Sequence, residues 1–157
     1  MEEIFKPPKK IKIGWLEEID LPEFNIKSLA AKIDTGAYTS SLHATKIRPF
    51  LKDGVSYVGF YANGEVKCIK PVHSQRMVKS SNGHEELRIV IETVVVLGKR
   101  KITTQVTLTD RKDMDYRILL GRKFLRKRYI VDVGRTFRIK KLRLKKLSRE
   151  KNETPEQ

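Results

Sequence analysis

The sequence predicts a closed all-β domain with one or two short helices, and three observations lead there. Short apolar runs suited to strands recur along the chain, turn-forming pairs separate them at close intervals, and only short segments suit a helix. At 157 residues the chain is long enough to bury a core of its own.

The elements follow in order. Residues 1–12, with Pro7-Pro8 and four lysines, form an expected loosely held leader. Ile13 to Leu21 spaces its apolar residues by twos and threes and stops at Pro22, as a strand does. Ile26 to Ile33 is a second strand that runs directly into Asp34-Thr35-Gly36. Val55–Ala62 and Glu65–Pro71 flank Asn63-Gly64, a strong hairpin signal. Gln75–Lys79 and Glu86–Leu97 flank Ser80-Ser81-Asn82-Gly83, and Leu87, Ile89 and Ile91 alternate with Arg88, Val90 and Glu92. Gly98-Lys99 then turns the chain into Lys101–Thr109. Ile118-Leu119-Leu120 is a short apolar strand, Gly121–Lys127 a short basic helix and Tyr129–Val133 a returning strand. Residues 13–134 thus form one domain, with Trp15 and Phe24 as core or packing residues. Residues 135–157 are a basic C-terminal extension whose polar end is expected to be disordered.

The formal charge of +15 is concentrated at one end: Arg122 to Lys151 carries fourteen Lys or Arg against two acids, about +12. Arg138, Lys140, Lys141, Arg143, Lys145 and Lys146 are therefore candidates for contact with a polyanion, whether nucleic acid, a ribosomal surface or a Glu-rich peptide. A solvated extension or an edge strand is the plainer alternative. The single cysteine, Cys68, excludes an internal disulfide, and no apolar run has signal-peptide or membrane-spanning length. A soluble cytoplasmic protein with no membrane contact is expected.

Asp34-Thr35-Gly36 carries the chemistry. Hydrolysis of an amide by activated water needs a carboxylate as base and a carboxylic acid as its partner. Two carboxyls about 3 Å apart share one proton, as in aspartic proteases. One motif per chain supplies one carboxyl, so the mechanism requires a homodimer about a two-fold axis. Asp34 is then the catalytic residue. Gly36 lets the backbone approach its symmetry mate, Thr35 bonds across the axis, and Ser40 or Ser41 orients the carboxylate. A peptide or protein is the substrate, and no cofactor is needed.

Ile118-Leu119-Leu120-Gly121-Arg122-Lys123-Phe124-Leu125, followed by Tyr129-Ile130-Val131-Asp132, adds a second motif in the right order: Asp-Thr-Gly-Ala early, Gly-Arg late. With Gly14-Trp15, Leu21-Pro22, Ala31-Lys32-Ile33-Asp34-Thr35-Gly36-Ala37, Thr39-Ser40-Ser41-Leu42-His43-Ala44 and Val78-Lys79-Ser80-Ser81, residues 14–134 resemble the bacterial family labelled ATP-dependent zinc proteases, whose members are similar to retropepsins. The resemblance implies a retropepsin-like (acid protease) barrel, one domain per chain, a paired-Asp site, and a genomic association with enzymes that add glutamates to a ribosomal protein. It makes Ala37, Tyr38 and Arg122 candidate substrate contacts. It also places the hairpin tip Ser80, Ser81, Asn82, Gly83 where a flap closes over peptide; a plain surface hairpin is the alternative. Arg76, Lys79 and Arg88 flank that tip and favour an acidic peptide if they face the cleft.

Tyr38 departs from the pattern, because this position is commonly Arg in the family and acidic in the viral proteases, where the acid pairs with the Arg of Gly-Arg. The sequence therefore leaves the partner of Arg122 open. Neither half of the family label has its residues. No Gly-x-x-x-x-Gly-Lys-Ser/Thr loop is present, His84-Glu85 opens a His-Glu-x-x-His pattern that Arg88 breaks, and His43, His73 and Cys68 lack ligand spacing. No metal site is expected.

Overall fold

The computed structural model describes residues 9–79 and 83–153. Its strands are β1 (Ile11–Leu21), β2 (Ile26–Ile33), β3 (Ser40–His43), β4 (Thr45–Lys52), β5 (Val55–Asn63), β6 (Val66–Pro71), β7 (Ser74–Lys79), β8 (Glu85–Leu97), β9 (Arg100–Thr109), β10 (Ile118–Leu120) and β11 (Tyr129–Thr136). Two helices accompany them, α1 (Arg122–Leu125) and α2 (Arg138–Glu153), with a 3-10 turn at Pro22–Phe24.

The larger sheet runs β11-β1-β2-β10-β3-β9-β8-β7, and β8 returns to β1 at Asp20–Val96, so six of its strands form a ring. This is the mostly-β, retropepsin-like architecture expected. β4-β5-β6 is a separate sheet whose inner residues Val58, Phe60, Ala62 and Cys68 join the same core as Ile19, Phe24, Leu42, Ile91, Val106, Ile118 and Leu120. Phe24 and Phe60 meet edge to face across it at 5.4 Å.

Turn chemistry sets the registers. β8 and β9 pair Leu97 with Arg100, a two-residue loop at Gly98-Lys99. β5 and β6 pair Asn63 with Val66, so the loop residues are Gly64-Glu65, one position later than the Asn-Gly pair suggests. β4, which the sequence does not announce, meets β5 through Asp53-Gly54; both have positive φ (51° and 76°), as a type I′ turn demands.

The basic end is a helix, neither an extended tail nor an edge strand. Phe137 (φ 49°) breaks β11, and its amide donates to the Leu16 carbonyl at 2.7 Å. Glu17, fully buried in β1, then accepts from the amides of Arg138 (2.9 Å) and Ile139 (3.1 Å), and from Gly14 (2.7 Å). A carboxylate thereby satisfies open N–H groups at the start of α2, which has no acid in its own first turn. Gly14 is required beside it: a Cβ there would lie 2.3 Å from the Arg135 carbonyl oxygen. The helix runs past Ser148 to Glu153, well into the segment expected to be disordered.

Candidate active site

β10 lies between β2, which it pairs in parallel (Leu120 with Ile33), and β3, which it pairs antiparallel (Ile118 with Leu42). The chain leaving β2 must therefore loop over the end of β10 to reach β3, and Asp34-Thr35-Gly36-Ala37-Tyr38-Thr39 is that loop. Its base is fixed where Asp34 N donates to the Leu120 carbonyl at 2.8 Å. Inside it, Asp34 Oδ1 accepts from Gly36 N at 3.0 Å, and Ala37 N donates to the Asp34 carbonyl at 3.3 Å.

α1 holds the loop from the other side. Arg122 N donates to the Ala37 carbonyl (2.8 Å) and Lys123 N to the Tyr38 carbonyl (2.9 Å), so the open amides at the start of the helix end on the loop. Gly121 is packed so closely that a Cβ would lie 2.8 Å from the Thr39 oxygen and 2.9 Å from that of Ala37. The buried Ser40 hydroxyl accepts from Gly121 N at 3.1 Å, so it steadies the Gly-Arg turn. The structure also answers the question Tyr38 raises. Arg122 Nη1 donates to the Thr35 carbonyl at 3.0 Å, and the guanidinium lies 5.8 Å from the centre of the Tyr38 ring. Asp34 is half-buried at the base, while Thr35, Gly36 and Tyr38 are exposed at the tip.

β7 and β8 form the expected antiparallel hairpin, with Lys79 opposite Glu85 and Gly83 at φ 81°. Ser80, Ser81 and Asn82 lie outside the described residues. Met77 and Leu87, a cross-strand pair, stand on the same face of β8 as the buried Ile89 and are both exposed, so an apolar underside extends beyond the core. Arg76 and Arg88 pair on the opposite face. The two sites are joined by a polar chain that the sequence does not reveal. Lys123 Nζ donates to Gln105 Oε1 (2.6 Å), and Gln105 Nε2 lies 3.0 Å from His73 Nε2 at the root of β7.

The metal donors do not assemble. Among the described residues no three His, Cys, Asp or Glu side chains come together. His43 Nδ1 instead takes the Arg111 amide at 3.3 Å, and Cys68 is buried, which pushes its thiol pKa up. The described residues do not fit zinc. The polyanion candidates lie along α2: Lys140 pairs with Glu18 at 2.9 Å, whereas Lys141, Arg143, Lys145 and Lys146 are exposed.

A family model described as "Retropepsin-like aspartic endopeptidase RimB" matches residues 12–142. The chain belongs to the RimB-like family. Proteins similar to it include two named "Probable alpha-L-glutamate ligase". One, from Desulfotalea psychrophila, is 39% identical over 131 residues (79% of this chain, 28% of that protein). The other, from Shewanella pealeana, is 38% identical over 135 residues (82% of this chain, 30% of that protein). The chain thus spans under a third of the length of these curated relatives. A crystal structure of a Legionella pneumophila protein of unknown function has a TM-score of 0.70 and 30% identity, covering 83% of this chain and 99% of that one. The retropepsin-like fold here carries one Asp-Thr-Gly loop in the single chain.

Proposed function

We propose that this chain is one subunit of a dimeric aspartic endopeptidase, in which Asp34 of each subunit contributes one carboxyl to a shared, singly protonated pair that activates water against a peptide carbonyl. The observation that carries the reading is the loop itself. Asp34 is fixed at the base by Leu120 and Gly36, the loop is braced by Gly121 and Arg122, and its tip is left exposed where a second copy has to meet it. Gly36 and Thr35 stand at that tip as the residues of closest approach. Ala37, Tyr38 and Arg122 border the substrate, and the hairpin around Gly83 closes over it with Met77 and Leu87 on its underside. A glutamate-containing peptide is the preferred substrate, supported by the names of the relatives and by the cations of α2. The site works in the cytoplasm; no helix among the described residues is long and apolar enough to cross a membrane. The test is Asp34→Asn, assayed on glutamate-rich peptides with mass-spectrometric detection. The variant keeps its fold and dimer but loses cleavage, and cleavage at the wild-type rate would refute the mechanism.

A second reading, a non-catalytic module recruited to the ribosome, to nucleic acid or to a Glu-rich peptide, draws on the exposed cations of α2. Charge reversal at Lys141 and Lys145 separates the two. It abolishes recruitment under this reading; under the first, cleavage of short peptides that lack glutamate persists.

A further inference from the structure

The β4-β5-β6 sheet turns one face to the core and the other to solvent, and the ladder identifies the outer residues. Tyr57 is opposite Phe50 and Pro71, Gly59 opposite Arg48 and Ile69, Tyr61 opposite Thr45 and Lys67, and Val55 opposite Lys52. Val58, Phe60, Ala62 and Cys68 point to the core, so alternation puts the first set on the outer face, where Arg48, Phe50, Lys52 and Lys67 are exposed, Tyr57 and Tyr61 half-buried, and Gly59 covered. The composition of this face is unusual for a simple solvated surface. Phe50 and Tyr57 stack at 5.7 Å with 21° between their planes, and the ammonium of Lys46 lies 5.4 Å from the centre of the Tyr61 ring. Gly59 lies between the two tyrosines of β5, and the Lys67 side chain and the Phe50 ring fill the space that a Cβ would otherwise enter, at 3.3 Å and 3.9 Å from it. Arg48, Lys52 and Lys67 are exposed around the rings, and none of the outward ladder positions is Asp or Glu.

We propose that this outer face is a binding platform for single-stranded nucleic acid. Rings interleaved with cations answer both parts of such a ligand: base faces stack on the rings, and phosphates meet the ammonium and guanidinium groups. Tyr57 and Tyr61 stand about 13 Å apart along β5 at ordinary strand rise, a span that takes more than one nucleotide. In a duplex the base faces are already stacked, so the rings select single strands; the cations of α2 make no such distinction. The platform is separate from the Asp34 loop and does not depend on the proteolytic reading.

The experiment uses the full chain and fluorescently labelled 20-nucleotide oligonucleotides, as single-stranded RNA, single-stranded DNA and duplex RNA, followed by anisotropy. Single strands of one or both sugars bind more tightly than the duplex. Phe50→Ala and Tyr61→Ala each weaken single-strand binding by roughly 5- to 100-fold, while duplex binding and the thermal unfolding profile stay near wild type. Arg48→Glu combined with Lys67→Glu, which leaves the rings in place, weakens it as well and reduces the salt slope by roughly one unit. Asp34→Asn has no effect. Equal affinity for single and double strands, or indifference to both ring substitutions in folded protein, overturns the proposal. So does Phe50-dependent binding to vesicles of anionic phospholipid with no such dependence for RNA or DNA.

Discussion

Two glycines, one within the Asp34 loop and one packed against it, do different work, and substitution by alanine separates them. At Gly121 a Cβ would press against two backbone carbonyl oxygens, at 2.8 Å and 2.9 Å, and neither can move without displacing the loop. Gly121→Ala is expected to cost about 2 kcal/mol in urea unfolding and to lose cleavage with it. At Gly36 the added carbon meets only Asp34 Oδ1, at 3.3 Å. Gly36→Ala is expected to unfold like wild type as an isolated subunit while dimerisation and cleavage fail, because the crowding arises only where two loops meet. Sedimentation beside a denaturation curve distinguishes the cases, and a normal, active Gly36→Ala dimer would contradict a close approach at that residue. Glu23 shows a different kind of single-residue control. Burial raises its pKa, but the hydrogen bond from Lys70 at 2.8 Å, with those from the Val94 amide and the Thr93 hydroxyl, holds it below its ordinary 4.5. Since the folded value is the lower one, the stabilisation is present above about pH 4.5 and is lost as pH falls through the depressed value. Solvent screens a carboxylate that is 37% exposed, so Glu23→Gln should cost roughly 0.5 kcal/mol at pH 7, and the difference from wild type should shrink in acid melts.

Among the elements, α2 is the one whose first-turn amides are held by a single buried side chain. Glu17 receives three backbone amides, two of them from the first turn of the helix. Glu17→Ala leaves those donors buried without an acceptor and should cost about 2–3 kcal/mol. Hydrogen exchange should show the amides of α2 opening first while those of β8 and β9 stay protected; uniform loss of protection would place Glu17 in the barrel's stability instead. Nothing local marks this residue. Leu16-Glu17-Glu18-Ile19 offers two acids, and only the parity of β1 and the arrival of α2 decide which is buried. The same limit explains what else the sequence conceals. Ile139, Leu142, Leu144 and Leu147 are spaced by three, two and three, compatible with either an extended or a helical period. β4 carries Pro49 and three cations on an edge of its sheet, where alternation is weak. By contrast, β8 and β9 announce themselves through alternation and a Gly-Lys turn, because one face of each packs on the core. The Asp34 loop and the Gly121-Arg122 helix are legible for a related reason: their geometry demands particular residues at particular places. The Arg122–Tyr38 contact is not, since it depends on how two distant segments meet.

At the scale of the whole molecule, the proposed chemistry is a property of two chains. One subunit supplies one Asp-Thr-Gly loop, and the Arg122 brace fixes it from within, so folding of the loop does not wait for a partner. Dimerisation has only to bring two preformed loops together, and activity should follow the concentration of dimer instead of the concentration of chain. Subunit mixing tests this without knowledge of the natural substrate. If wild type and Asp34→Asn chains exchange at random in equal amounts, roughly one quarter of the dimers carry two intact carboxyls. A site that needs both should then retain about one quarter of the activity of the same total concentration of wild-type chains. Sites that work independently would retain about one half. One curve falls as the square of the wild-type fraction and the other in proportion to it, so the gap between them is widest at this equal mixture, while their ratio grows as the fraction of variant rises. A strictly proportional decline, with exchange verified by native mass spectrometry, would remove the shared proton from the mechanism and leave each Asp34 to act alone.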